Sequence, residues 1–208
     1  MGMNIQNILI FAAVVVAAWC AAIYAWPRLM LSAYRRALLT KGFGDGPIPI
    51  NTLHTQPQSL FAEPLAAQAG PGVNPLTVGV NRDTILTAGW LDLRQGSLVL
   101  HVPNMSDRYY SVQFTDPAKN TVFAYVGKRT TGTQAGDFLL TGPGWKGQAP
   151  GGMQPIASPN NSVIVVGRVL VFSDSDLSTA HALSKQIQVT RLDGWQPGRS
   201  VPVRPSGG

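Results

Sequence analysis

Cysteine is nearly absent: Cys20 is the single thiol in 208 residues, and it falls inside an apolar run. One cysteine excludes an intrachain disulfide framework and a cysteine-built metal cluster. The residues before it, Val16-Ala17-Ala18-Trp19, put a bulky indole where a lipoprotein signal needs a small side chain, which argues against lipidation there. Charge is scarce as well. Only 12% of residues are charged, low for a cytosolic surface and ordinary for an exported or membrane-attached chain. The net charge of +6 suggests nucleic acid until it is located. Arg28, Arg35, Arg36 and Lys41 follow the apolar run, and the rest of the chain carries twelve basic against ten acidic side chains. No Lys/Arg run with interleaved aromatics marks a phosphate-tracking groove, so a nucleic-acid partner is not expected.

The common catalytic signatures are missing too. There is no Gly-x-Ser-x-Gly elbow and no Ser-x-x-Lys, which removes the commonest nucleophile patterns. His54, His101 and His181 are widely spaced, with no helical i,i+4 pair and no Cys partner, so no metal site is expected. Gly127-Lys128-Arg129-Thr130-Thr131-Gly132 is not a P-loop, because Arg129 breaks the Gly-Lys-[Ser/Thr] order and Val122 stands where the first glycine is required. No cofactor is expected.

What is present begins with 19 uncharged residues from Ile8 to Trp26. As a helix they span roughly 28 Å, close to the hydrocarbon thickness of about 30 Å. Ile8 and Trp19 lie within this anchor, while Tyr24 and Trp26 sit at its end, where amphipathic rings favour the headgroup level. Pro27 is expected to interrupt the helix. No Lys or Arg precedes the run, and Ile23 spoils a small-residue cleavage pattern before Ala25, so an uncleaved anchor fits better than a signal peptide. The basic residues after the helix favour a cytoplasmic body by the positive-inside rule. That rule weakens if Arg28, Arg35 and Arg36 belong to a folded helix, which the spacing of Leu31, Tyr34 and Leu38 predicts over 28–39. Both topologies stay open.

From Gly42 to Pro75 the chain is rich in Gly and Pro and reads as an irregular arm, with a short helix over 59–69. Strands dominate next. Short β-branched and aromatic runs at 84–93, 97–102, 109–115, 121–126, 137–141 and 162–172 are separated by turn chemistry. Ser173 or Ser175 can cap a helix running to about Lys185, with Leu177, Ala180 and Leu183 on one face, and 187–192 reads as a last strand. The pattern predicts a mainly β fold: an N-terminal transmembrane helix, then a β-sandwich or jelly-roll-like domain with a few peripheral helices. The expected domains are an anchor over 1–27, a β-rich body over 28–193 and a flexible tail over 194–208.

The motifs NRDT, GWLDL, RYYSVQF, GKRTTG, GPGW and SPNNSVIVVGR occur in this order, after an opening WPRLMLSAYRRAL segment. Together they resemble the bacterial domain of unknown function 1254 family, over about Pro27 to Asp193. The resemblance implies an all-β core with a few helices, often in exported or envelope-attached proteins, and it implies no reaction. Longer relatives often continue into a second β-rich domain, so a separately encoded partner supplying that half is expected. The localisation it implies is the inner membrane, single-pass, with a periplasmic body.

The polar clusters supply the candidate ligand-binding residues: Arg82 and Asp83 entering one strand, Arg108 and Tyr110 entering another, and Lys128 and Arg129 in the GKRTTG loop. An arginine oriented by a carboxylate can grip an anionic or carbonyl ligand. The same residues also read as structural ion pairs and charged turns. Two functions follow. One is a non-catalytic binding or accessory module of the envelope. The other is an enzyme of the hydrolase or lyase class using the Arg/Asp/Tyr cluster on a polar or anionic small substrate. A carboxylate pair of Asp83 with Asp116 is a further possibility that only strand pairing can decide. A third role, as a structural partner in an oligomer, would need an exposed apolar patch on the body.

Overall fold

A computed structural model describes residues 4–62, 83–153 and 155–197. The chain opens with α1, Ile5–Lys41, a helix of 37 residues that passes through Pro27 without a break. This corrects the expected interruption. Proline removes one backbone donor, the one that would meet the Ile23 carbonyl, and crowds the preceding turn, yet the helix continues through it; one residue on, the Arg28 guanidinium turns back and donates from Nη1 to the Tyr24 carbonyl at 2.8 Å. Arg28 also lies 3.7 Å over the Tyr24 ring, so its charge is held against the helix surface. The chain divides into two compact units, the first ending at Ala37 and the second starting at Leu38.

In the second unit Leu38, Phe43 and Ile48 are buried. The segment then reaches β1, His54–Thr55, and α2, Gln58–Ala62, at the start of the stretch 59–69 where a helix is expected; residues 63–69 of that expectation lie outside the described residues. The strands follow their alternation closely: β2 (Thr84–Asp92), β3 (Leu98–Val102), β4 (Tyr110–Asp116), β5 (Thr121–Gly127), β6 (Gly136–Thr141), β7 (Pro155–Ala157), β8 (Ser162–Leu170) and β9 (Gln188–Arg191). The last helix, α3, runs Leu177–Gln186. Neither serine caps it. Ser173 and Ser175 hydroxyls bond each other at 2.9 Å, and α3 starts only after a short 3-10 turn at Asp174–Asp176.

The body is mainly β, as expected. A five-stranded sheet has the order β1-β2-β8-β4-β5, and a four-stranded sheet the order β7-β6-β3-β9. All pairings are antiparallel except β6 with β7. Alternation puts Val163, Val165 and Val169 of β8 inward and leaves Arg168 exposed. These valines join Phe114 of the first sheet and Leu100 and Leu140 of the second in one buried cluster, which makes the architecture a two-sheet sandwich. Each fully buried apolar side chain there contributes about 1.5–3 kcal/mol. Ala180 and Ile187, within and just after α3, close the same core. Three of its hydroxyls satisfy one another: Thr87 bonds Thr55 at 3.1 Å and Ser184 of α3 at 2.8 Å.

Candidate functional site

Strand direction brings most of the expected site residues to one rim of the five-stranded sheet. The registers Thr84 with Leu170, Tyr110 with Val169 and Ser111 with Gly127 set the starts of β2 and β4 beside the ends of β8 and β5. Asp83, Arg108, Tyr110, Lys128 and Arg129 therefore share that rim. Arg82 lies outside the described residues.

At the rim each side chain has a local partner. Arg108 is buried, donates to the Leu170 carbonyl at 2.7 Å and forms a two-pronged pair with Asp176 just before α3. Its guanidinium lies 4.6 Å from the centre of the exposed Phe172 ring. The Arg108 hydrogen bond, helped by the Phe172 amide, holds the Asp176 carboxyl below its ordinary pKa despite partial desolvation. Lys128 binds both the backbone carbonyl and the carboxylate of Asp107, each at 2.7 Å. Arg129 stands 5.9 Å over the Tyr109 ring. Tyr110 points into the core, its hydroxyl 3.3 Å from the Thr131 hydroxyl, and burial pushes its phenol pKa up. Asp83 is exposed, and its carbonyl accepts from the Val171 amide at 2.8 Å.

The GKRTTG loop is a closed turn. The amides of Thr130 and Thr131 donate to the Gly127 carbonyl, that of Gly127 to the Thr131 hydroxyl, and that of Lys128 to the Tyr110 carbonyl. A phosphate cradle needs such donors pointing outward at the ligand, and these four are engaged within the protein.

Asp83 and Asp116 do not meet. They lie at opposite ends of the sheet, because the seven residues of β4 run from Tyr110 at the Asp83 rim to Asp116, a distance of about 20 Å at 3.3 Å per step. Asp116 is buried, and accepts from the Ala118 amide at 2.9 Å and from Asn160 Nδ2 at 2.7 Å. The SPNNS motif is thereby tied to the β4–β5 turn. Ser158 Oγ in turn donates to the Asn160 carbonyl at 2.6 Å.

A polar constellation absent from the candidates above sits on the outer face of the second sheet. His101 of β3 and Asp137 of β6 are register partners, and Nδ1 lies 2.7 Å from Oδ1. The other carboxylate oxygen accepts from Trp195 Nε1 at 3.0 Å. A 3-10 turn at Leu192–Gly194 brings Trp195 there, with Gly194 set close to Thr190. The His101 and Asp137 side chains are 27% and 23% exposed, so His101 neither faces solvent freely nor joins the core. Alternation along β3 could place His101 outward, but no local signal couples it to Asp137 or to a Trp near the end of the chain.

The other histidines are engaged separately. His54 pairs with Asp45 at 2.5 Å and stacks on Phe43. His181 of α3 bonds the Gln56 carbonyl at 3.1 Å, and burial lowers its pKa. Trp145 of the GPGW turn is half-buried, against the backbone of Gly147.

Two stacked sheets, one antiparallel and one mixed, with polar networks at a rim and on an outer face define a β-sandwich module, preceded in the chain by an apolar helix. The chain belongs to the family described as Protein of unknown function (DUF1254), whose model matches residues 63–191. No curated protein matches it. Among solved structures it is similar to the VPA0106 protein from Vibrio parahaemolyticus, with 22% identity and a TM-score of 0.58 over 89% of this chain. The chain spans 42% of the length of that protein. This likeness shows the fold.

Proposed function

We propose that this protein is a single-pass inner-membrane protein whose β-rich body lies in the periplasm as a non-catalytic binding or accessory module of the cell envelope. The observation that carries the reading is α1, which is long and apolar enough to cross a membrane and buries none of its most apolar stretch. An uncovered run of this kind is stable in lipid and unfavourable in water. The rim chemistry supports the non-catalytic part, since Arg108, Lys128 and Tyr110 hold partners within the fold. An enzyme of the hydrolase or lyase class working through that cluster has correspondingly less support. A separately encoded β-rich protein remains the partner that fits this reading.

Protease protection on intact cells and on spheroplasts tests it, with the body followed through a C-terminal tag. Digestion only after the outer barrier is opened is the expected result. Protection until the inner membrane is lysed would place the body in the cytoplasm, as the basic residues after the anchor favour. Recovery in the soluble fraction would overturn the anchor itself.

A further inference from the structure

We propose that the free edge of β5 accepts a strand from a partner protein, an uncharged extended segment flanked by acidic residues. The inference rests on the reading of the body as a binding or accessory module and gives that module a surface. Topology supplies the first observation. β1, β5, β7 and β9 are the outer strands of the two sheets. β1 has two residues, β7 three with Pro155 at its head, and β9 four ending in Arg191. Shortness, proline and charge each blunt a sheet edge. β5 has seven residues, Thr-Val-Phe-Ala-Tyr-Val-Gly, with neither proline nor charge among them.

Hydrogen bonding shows how much of this edge is open. The Lys128 amide donates to the Tyr110 carbonyl, so Lys128 turns its backbone toward β4, as Val126 and Ala124 do by alternation. Gly127 and Tyr125 turn theirs outward. The GKRTTG loop closes the end of the strand. Thr131 Oγ1 accepts from the Gly127 amide at 3.1 Å and donates to its carbonyl at 3.3 Å, while Thr130 Oγ1 donates to the Tyr125 carbonyl at 3.2 Å. The Tyr125 amide lies outside this cap, and the open edge is residues 121–125. Register slips at Phe123, which has no partner on β4, so a bulge twists the strand there. Such a bulge works against the long flat edge that sheet-to-sheet growth needs, and suits a short segment. Tyr125, 49% exposed, offers its ring as a cross-strand neighbour.

Charge selects the occupant. Lys119 is exposed in the turn before β5 and Arg129 in the loop after it, and neither forms an ion pair among the described residues. Lys128 is already neutralised by Asp107. Asp116, the carboxylate nearest Lys119 in the chain, is buried and taken up by the Ala118 amide and Asn160. Pairing two copies of the chain antiparallel over 121–125 would bring Lys119 of each to the 127–129 end of the other, cation near cation, which is unfavourable. A segment with a carboxylate at each end meets a cation at each end instead. Main-chain bonds along the edge then give affinity, and the flanking charges give choice of partner.

The test uses the full chain in detergent micelles and two end-capped peptides, Glu-Thr-Val-Tyr-Val-Thr-Glu and the same core flanked by lysines. Amide resonances and amide hydrogen exchange locate the binding. The expected result is saturable binding of the acid-flanked peptide with protection of the Tyr125 amide. The lysine-flanked peptide should bind about tenfold more weakly at low salt. Tyr125→Pro removes an outward donor and spares the β4 ladder, so it should abolish binding. The double variant Lys119→Glu with Arg129→Glu changes two exposed positions, and should reverse the peptide preference while leaving the thermal midpoint nearly unaltered. No saturable binding of the acid-flanked peptide overturns the proposal, as does binding that leaves the Tyr125 amide unprotected or ignores the charge reversal. Self-association of the chain that Tyr125→Pro abolishes would put a second copy on the edge and overturn the occupant named here. A periplasmic body whose edge binds neither peptide would remove this surface alone and leave the anchored-module reading intact.

Discussion

Arg108 and Asp176, 68 positions apart in the chain, face each other in a two-bond fork, with Nη1 at 2.5 Å from Oδ2 and Nη2 at 2.7 Å from Oδ1. The pair joins the loop before β4 to the start of α3, and Arg108 is 8% exposed at its side chain. Removing the carboxylate strands a buried guanidinium, so Asp176→Ala should lower the unfolding free energy by about 3 kcal/mol. Urea denaturation of the full chain measures this. A fall below about 1 kcal/mol would reduce the pair to a surface contact.

The same pair carries a pH signature. The folded-state pKa of Asp176 is lowered, so its contribution is present above the unfolded value of 3.8 and is lost as pH falls through the lowered folded value. Wild type should therefore lose stability over that acid window faster than Asp176→Asn, whose amide does not titrate. Parallel acid limbs in the two proteins would contradict the assignment.

Asp116→Ala should cost about 2–3 kcal/mol, because Asn160 and the Ala118 amide lose their shared acceptor at a site 1% exposed. Hydrogen exchange locates the effect: the expected loss of protection is at the β4–β5 turn and the SPNNS segment, far from the Arg108 rim. Uniform loss over the body would instead mean that Asp116 acts through the whole core.

Gly89→Ala tests the approach of the chain before β1. A methyl group at Gly89 would lie 2.4 Å from the Thr52 carbonyl oxygen and 2.6 Å from Leu53. One of these must move, a strain of about 1–3 kcal/mol. Thermal unfolding should show a lower midpoint for Gly89→Ala. The same change at Gly194, where the nearest atom is 3.9 Å away, should leave it nearly unaltered.

Tyr110→Phe keeps the packing of a ring that is 1% exposed and removes one hydroxyl contact of 3.3 Å, so the loss in stability should stay at or below about 1 kcal/mol. Burial raises the folded pKa of this phenol above its ordinary 10.0. The fold is therefore favoured below pH 10 and loses that preference as pH rises through the raised value. In an absorbance titration, Tyr110→Phe should lack a late-ionising component that wild type shows.

Much of the architecture was legible because its signals are local. The uncharged run around Trp19, the Val112/Phe114 alternation in β4 and the turn chemistry between strands each need only a few neighbouring residues. Two strands escaped for the same reason. β1 has two residues and β7 three, too short to show a period, and both exist through pairing with β2 and β6. Pro27 misled because a proline withdraws a single ladder bond, and the penalty at one residue does not by itself decide whether a 37-residue helix continues through it.

The candidate residues tell a similar story. Sequence picked out charged and aromatic side chains entering or leaving strands, and the rim does gather those that are described. It could not show that Arg108 would meet Asp176 on a distant helix approach, nor that the amides of the GKRTTG loop would be taken up by the Gly127 and Tyr110 carbonyls and the Thr131 hydroxyl. His101 passed as an isolated residue, since its partners lie on β6 and after β9.

An apolar helix and a series of short strands with known inward faces follow from residue order alone, because helix and strand periods repeat within a few residues. Packing in three dimensions is what inserts β8 between β2 and β4, takes the chain across between sheets, and brings His101, Asp137 and Trp195 together. Those choices depend on register and on contacts between distant parts of the chain, where a shift of one residue turns every side chain to the opposite face.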